Sequence, residues 1–194
     1  MFKTKDTSKV SWFQPVPETS LAIIENLQLS PTVKCIDVGC GDSCLPEFLL
    51  EKGFTNISAV DISSVAIEHS KKKMGSNAQQ VKWFVADITE FNPPEKFDLW
   101  HDRAVFHFLT NQADIEKYVQ TVENNIARNG YLVIGTFSNN GPDICSGLRI
   151  EQYSEKKIKP IFESGFRFIN YFTENHQTPS GSQQNFLFTI FQKK

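Results

Sequence analysis

The sequence predicts an α/β protein built on a doubly wound, mostly parallel sheet of seven strands with helices on both faces. Three observations carry this. Short apolar runs alternate with helix-like stretches from residue 33 to residue 137, which is the pattern of parallel strands joined by crossover helices. A glycine turn follows the first apolar run, and an acid closes the second. Two aromatic, alternating segments near the end, with no helix between them, read as an antiparallel hairpin.

Taken in order, Leu21, Ile24 and Leu27 fall at helical spacing over residues 17–28. A strand is expected at 33–38, a helix at 44–52, a strand at 56–61, a helix at 64–74 and a strand at 81–86. A strand at 96–101 follows, then a helix at 112–128 and a strand at 130–137. The 112–128 helix is the clearest, with Ile115, Tyr118, Val119, Val122 and Ile126 on one face and Asn129-Gly130 as its stop. Residues 154–164 read as a short or kinked helix because Pro160 interrupts them. Phe166 to Phe172 and Asn185 to Phe191 form the hairpin, joined by a polar turn containing Pro179 and Gly181.

The chemistry concentrates at residues 33–43, VKCIDVGCGDS, and at Asp61, twenty-four positions after Asp37. That spacing fits strand, glycine turn, helix, and a second strand with a carboxylate at its tip. Glycines allow close backbone approach to a ligand, the helix offers N–H groups, and the carboxylate accepts from a ribose diol. A dinucleotide site asks for GxGxxG. Here Cys44 stands where the third glycine belongs, and Asp37 would repel a pyrophosphate. An acid at Asp37 suits a ligand carrying a cation.

Asp37-Val38-Gly39-Cys40-Gly41 resembles the DxGxG first motif of the class I S-adenosylmethionine-dependent methyltransferases, and the resemblance spans residues 12–192. It implies strand order 3-2-1-4-5-7-6 with strand 7 antiparallel. It also implies S-adenosylmethionine (SAM) as cofactor and S-adenosylhomocysteine as product. Carried over residue by residue, Asp61 binds the ribose, Ile62 lies beside the adenine, and Asp87 with Ile88 close the third strand near the adenine amino group. Each aspartate alone is also an ordinary cap or turn residue.

Strand four leads into His101-Asp102-Arg103-Ala104 and on to Phe106-His107-Phe108, where the sulfonium methyl should point. Asp102-Arg103-Ala104 resembles the corresponding stretch of the thiopurine and tellurite methyltransferase group, and residues 101–109 resemble the loop of small protein-lysine methyltransferases. His101, Asp102 and Arg103 are the catalytic candidates, with His101 also beside the cofactor. His101 is the leading general base because imidazole titrates near neutrality. An anionic nucleophile would need only alignment. Arg103 pairing with Asp102 or Asp98, and His107 as a packed histidine, are the plainer alternatives. Trp12 either lids the sulfonium through a cation–π contact or staples the first helix. The 139–148 loop forms the other rim of the acceptor pocket.

The 194 residues are expected to form one domain, 1–194, with residues 1–16 as a flexible N-terminal segment or lid. A formal charge of −2 leaves no electrostatic footprint for nucleic acid. Lys71-Lys72-Lys73 reads as a solvated helix end. The four cysteines have neither metal nor disulfide spacing, so no metal and a reduced, cytoplasmic setting are expected. No apolar stretch is long enough to span a membrane. The expected protein is a monomer or weak dimer that methylates a small molecule. A protein-lysine acceptor and a non-catalytic SAM-binding module are the alternatives.

Overall fold

The structure is a computed structural model that describes Ser11 and residues 14–194. Helix α1 (Glu18–Asn26) precedes strand β1 (Lys34–Val38), helix α2 (Leu45–Glu51), β2 (Asn56–Asp61), α3 (Ser64–Met74) and β3 (Val81–Val85). Then come β4 (Phe97–Arg103), α4 (Gln112–Asn125) and β5 (Ile126–Phe137). A two-residue hairpin, β6 (Ile144–Cys145) and β7 (Leu148–Arg149), leads to α5 (Glu155–Phe162), β8 (Phe166–Gln177) and β9 (Gln183–Lys193).

The seven-stranded sheet runs β3-β2-β1-β4-β5-β9-β8. The first five strands are parallel, and β9 is antiparallel to both β5 and β8. Setting the small β6–β7 hairpin aside, this is the 3-2-1-4-5-7-6 order, with its last strand reversed.

Strand alternation divides the interior in two. Cys35, Leu99, Val133, Phe186 and Phe188 face α1, α2 and α3, where they meet Leu21, Ile24, Leu49 and Ile67. Ile36, Val38, Trp100, Leu132 and Leu187 face α4 and α5, where they meet Tyr118, Val122, Ile158 and Phe162. Trp100, Tyr118, Phe97 and Phe106 are fully buried, and side chains of this size contribute about 1.5–3 kcal/mol each on burial.

Three boundaries differ from expectation. Strand β4 continues through His101, Asp102 and Arg103, a polar run that reads as loop but is paired with β5 throughout and with β1 as far as Asp102. Helix α4 ends at Asn125 rather than 128, and Asn129-Gly130 marks an irregularity inside β5. A side chain at Gly130 would come within 2.9 Å of the Ala127 carbonyl and 3.0 Å of the Asp98 carbonyl, so the residue must lack one. The terminal hairpin strands are longer than expected, eleven and twelve residues. Helix α5 is short, as expected, with Pro160 inside it.

Candidate active site

The carboxyl ends of β1, β2, β3 and β4 open on one cavity of about 680 Å³. Gly39 (φ +65°) and Gly41 (φ +44°) turn the chain out of β1. The turn is pinned by Gly39 and Cys40 N–H groups donating to the Val60 carbonyl, at 2.8 and 3.1 Å. A β-carbon on Gly39 would fall 1.9 Å from Val105 Cγ2, so this turn and the segment after β4 are fitted to each other. Asp61 accepts from Gly41 N and from Ser63 N, both at 2.8 Å, and burial raises its pKa despite those bonds. Ser70 reaches over from α3 to bond the Gly41 carbonyl. The loop is thus held from β2, α3 and β4 before any ligand arrives.

Asp37 is 3 % exposed. Its Oδ1 accepts from His101 Nδ1 at 2.8 Å, while its Oδ2 is buried without a hydrogen-bond partner. Ser20 of α1 closes the other ring nitrogen, Oγ to Nε2 at 2.9 Å. A carboxylate only accepts, so the imidazole donates from Nδ1 and both its nitrogens are used inside the protein. This geometry corrects the expectation for His101. It is a strand residue that orders Asp37, and it offers no ring nitrogen to a substrate. An orphaned acceptor oxygen at the end of β1 is what a cationic ligand group would satisfy.

Asp102 is corrected as well. It is one residue on from His101 in an extended strand and therefore faces the opposite side of the sheet. There it accepts from Tyr118 Oη at 2.6 Å, Val105 N at 3.0 Å and Phe106 N at 3.3 Å. Burial pushes its pKa up to about 6 in spite of those bonds. It shapes the turn after β4 and does not line the cavity.

Arg103 does line it. Its guanidinium lies 4.8 Å from the centre of the Phe186 ring, and burial draws its pKa down to about 10 against the fields of Glu174 and Asp37. His107 is the packed histidine of the plainer alternative. It stacks on Phe137 at 4.8 Å, neither ring nitrogen has a partner, and burial holds its pKa down to about 3.

At the other end of the cavity, Ile62 stands 70 % exposed beside Asp61 and offers an apolar surface to the lining. Asp87 and Ile88 line the same end, and Asp87 Oδ1 caps its own turn by accepting from Thr89. Cys145, Ser146, Leu148 and Arg149 of the β6–β7 hairpin close the cavity opposite the cofactor loop, the rim expected from residues 139–148. Gln14 walls it from the N-terminal side. Trp12 lies outside the described residues. Cys40 and Cys44 both line the cavity, and all four cysteines are free thiols. Among the described residues no group of side chains could hold a metal ion.

The sequence reading missed Ser20, which closes the His101 ring, and Tyr118, which holds Asp102. Only Tyr118 carried a signal, as an apolar-face position whose hydroxyl needs a buried partner.

A glycine turn, strand-tip acids on three neighbouring parallel strands and an antiparallel last strand define the SAM-dependent methyltransferase fold. Residues 36–132, half of the chain, match the family described as methyltransferase domain, and the chain belongs to that family. It is 30 % identical over 136 residues to malonyl-[acyl-carrier protein] O-methyltransferase 2 of Ilyobacter polytropus, covering 70 % of this chain and 49 % of that protein. It is 26 % identical over 185 residues to the eEF1A lysine and N-terminal methyltransferase of Bos taurus, covering 94 % of this chain and 25 % of that one. The chain therefore spans half or less of these relatives. Among solved structures it is similar to the N-methyltransferase NodS from Bradyrhizobium japonicum in complex with S-adenosylhomocysteine. The TM-score is 0.67 at 18 % identity, covering 93 % of this chain and 89 % of that one, a likeness of fold.

Proposed function

We propose that this chain is a SAM-dependent methyltransferase acting on a nucleophile of a small molecule and releasing S-adenosylhomocysteine. The observation that carries this is the unpartnered Oδ2 of Asp37 in a cavity whose far end holds Asp61, Ile62 and Asp87. The arrangement fits SAM at both ends: an acid for the methionine ammonium, and a ribose acid with an apolar platform for the adenosine. Bound there, SAM supplies an electrophilic methyl on its sulfonium.

The chain's own groups do the rest. Ser20 and His101 fix the rotamer of Asp37, so its free oxygen is held where the ammonium arrives. Asp61, already drawing two N–H bonds, presents its carboxylate to the ribose hydroxyls. Ile62 and Ile88 pack against the base. Arg103 and the β6–β7 hairpin bound the acceptor end, where they exclude water and align the nucleophile.

A small acceptor is supported by that closed end. Gln14 stands on one side with the hairpin on the other. The lysine alternative is favoured by one observation, the relative matched over 94 % of this chain. Among the described residues no helix is long and apolar enough to cross a membrane. Four free thiols support a cytoplasmic setting as part of this proposal. Calorimetry with S-adenosylhomocysteine tests the cofactor. Labelled SAM in a cell lysate, separated into protein and small-molecule fractions, tests the acceptor. Label confined to a discrete protein band would replace the small molecule with a protein, and tight NAD binding without S-adenosylhomocysteine binding would overturn the family role.

A further inference from the structure

The charges that line the cavity are segregated along the sheet. Asp37, Asp42, Asp61 and Asp87 stand at or just beyond the carboxyl ends of β1, β2 and β3. Arg103 ends β4, on the opposite side of β1 from β2 and β3, and Arg149 comes from the β6–β7 hairpin that closes the cavity there. Among the described residues no carboxylate lines that second side. The cavity is therefore acidic where the cofactor is read and basic at the acceptor end.

The two arginines are not equivalent. The fields of Glu174 and Asp37 already act on Arg103. Arg149 is exposed, and among the described residues no hydrogen bond or ion pair engages its guanidinium. Its place is nonetheless fixed by the backbone. Ser146 (φ +55°) and Gly147 (φ +81°) form a two-residue hairpin turn, and Arg149 is the register partner of Ile144. Just beyond it, Ile150 N donates to the Asp143 carbonyl at 3.1 Å and Glu151 N to the His107 carbonyl at 2.8 Å. Leu148, Phe108 and Leu109 give the same end an apolar wall. His101 has both ring nitrogens engaged and His107 lies outside the lining, so neither imidazole takes a proton from a substrate here. A nucleophile that arrives already ionised needs only alignment.

We propose that the acceptor is a small carboxylic acid taken as its carboxylate, R–COO⁻, and that Arg149 is the residue that selects it; this rests on the methyltransferase reading above. A guanidinium fork suits a carboxylate, and at neutral pH a carboxylic acid is ionised while a thiol mostly is not. Arg149 pairs with one carboxylate oxygen, and the other supplies the lone pair of the new O–CH3 bond. The C–S bond of the sulfonium breaks, and sulfur keeps its electron pair as S-adenosylhomocysteine. No proton moves. The product is the methyl ester, R–COO–CH3. One anion and one sulfonium are consumed together, so the neutral ester no longer pairs with Arg149 and leaves.

The test incubates the full chain with methyl-labelled SAM and panels of aliphatic, aromatic and dicarboxylic acids, beside amines, thiols and phenols. The protein-free small-molecule fraction of a cell lysate is a further acceptor pool. Alkali splits a methyl ester and releases labelled methanol, whereas N-methyl, S-methyl and aryl ether labels stay in place. The expected result is alkali-released label from at least one acid or from the lysate fraction. Arg149→Gln should raise KM for that acceptor about 10-fold, and Arg149→Lys should raise it less. S-adenosylhomocysteine affinity by calorimetry and Tm should stay at the wild-type values in both, because the side chain is exposed and remote from the cofactor acids. Label that resists alkali overturns the proposal. So does an unchanged KM in Arg149→Gln, or a wild type that binds S-adenosylhomocysteine and esterifies nothing in either pool. A wild type that binds no S-adenosylhomocysteine fails earlier, at the cofactor reading itself, and removes the ground on which the carboxylate acceptor rests.

Discussion

His101 and Asp37 are register partners on adjacent parallel strands, and their side chains meet at 2.8 Å between Nδ1 and Oδ1 with almost no solvent access. Strand pairing alone would not make the bond; it also needs Ser20 of α1 to hold the far side of the ring. Replacing His101 with Leu should leave Asp37 buried without its partner and destabilise the fold by about 3–5 kcal/mol. Urea unfolding reads the loss, and calorimetry should show weaker S-adenosylhomocysteine binding in whatever folds. Ser20→Ala, which removes only the outer bond, should cost about 1 kcal/mol. Unchanged stability in both variants would mean that the three residues do not act as a unit.

Asp61→Ala should weaken S-adenosylhomocysteine binding by about 1–3 kcal/mol, the usual worth of charge-assisted hydrogen bonds. Because Asp61 also accepts from Gly41 N and Ser63 N, part of the loss should appear as lower stability of the free protein. Asp61→Asn separates the two effects, since its amide oxygen can keep one of those bonds. Full affinity in Asp61→Ala would remove the ribose role.

Gly39→Ala meets two obstacles, a positive φ and the Val105 methyl. The left-handed conformation alone costs roughly 1–2 kcal/mol for a residue with a β-carbon. Val105→Ala in the same chain should recover the steric share and none of the conformational share. A double-mutant cycle on thermal stability measures the difference, and strict additivity would show that the loop and the β4 turn are not in contact.

His107 sets a pH dependence with a definite sign. Folded, it resists protonation down to about 3, whereas in the unfolded chain it takes its proton near the ordinary value of 6.5. Between those values the unfolded state binds more protons, so this group's contribution to stability falls as the pH falls. Asp102 works in the opposite direction. Its folded pKa of about 6 lies above its ordinary 3.8, so its contribution is greatest below pH about 4 and is lost as the pH rises through about 6. The two oppose each other over the shared window, and a wild-type pH profile hides both. Relative to wild type, His107→Leu should gain stability progressively as the buffer is taken from pH about 6.5 toward 4, and Asp102→Asn should gain it progressively as the pH rises from about 4 to 6, unmasking the His107 slope. Chemical denaturation across this range checks each. A His107→Leu advantage that does not change with pH would refute the neutral buried imidazole.

The cofactor end was legible because it is local. Asp37, Gly39, Gly41 and Asp61 sit within one βαβ unit, so their spacing predicts that they line one cavity, as they do. The acceptor end was not, because it is assembled by sheet register across long separations. Ser20 reaches His101 over 81 residues and Gln14 reaches His176 over 162. His101-Asp102-Arg103 was read as a loop because three polar residues in a row ordinarily seek water. Each is instead satisfied or enclosed by a different neighbour, and alternation sends Asp102 away from the other two. Asn129-Gly130 looked like a helix stop for a similar reason. Glycine marks both a helix end and a strand that passes too close to its neighbour for a side chain, and only the Asp98 carbonyl distinguishes the cases.

Strand β9 lies between β5 and β8, pairing Tyr131 with Gln192 and Phe166 with Lys193. On a ribosome, β5 emerges with an open edge and stays that way until residues up to Lys193 have cleared the exit tunnel. Assembly from the N-terminus can proceed through the five parallel strands, giving a chain with its nucleoside-binding strands in place and no acceptor end. The late, non-local closure of β5 on β9 should govern how fast the chain becomes competent. During that interval the β5 edge is the place most exposed to mispairing with another nascent chain.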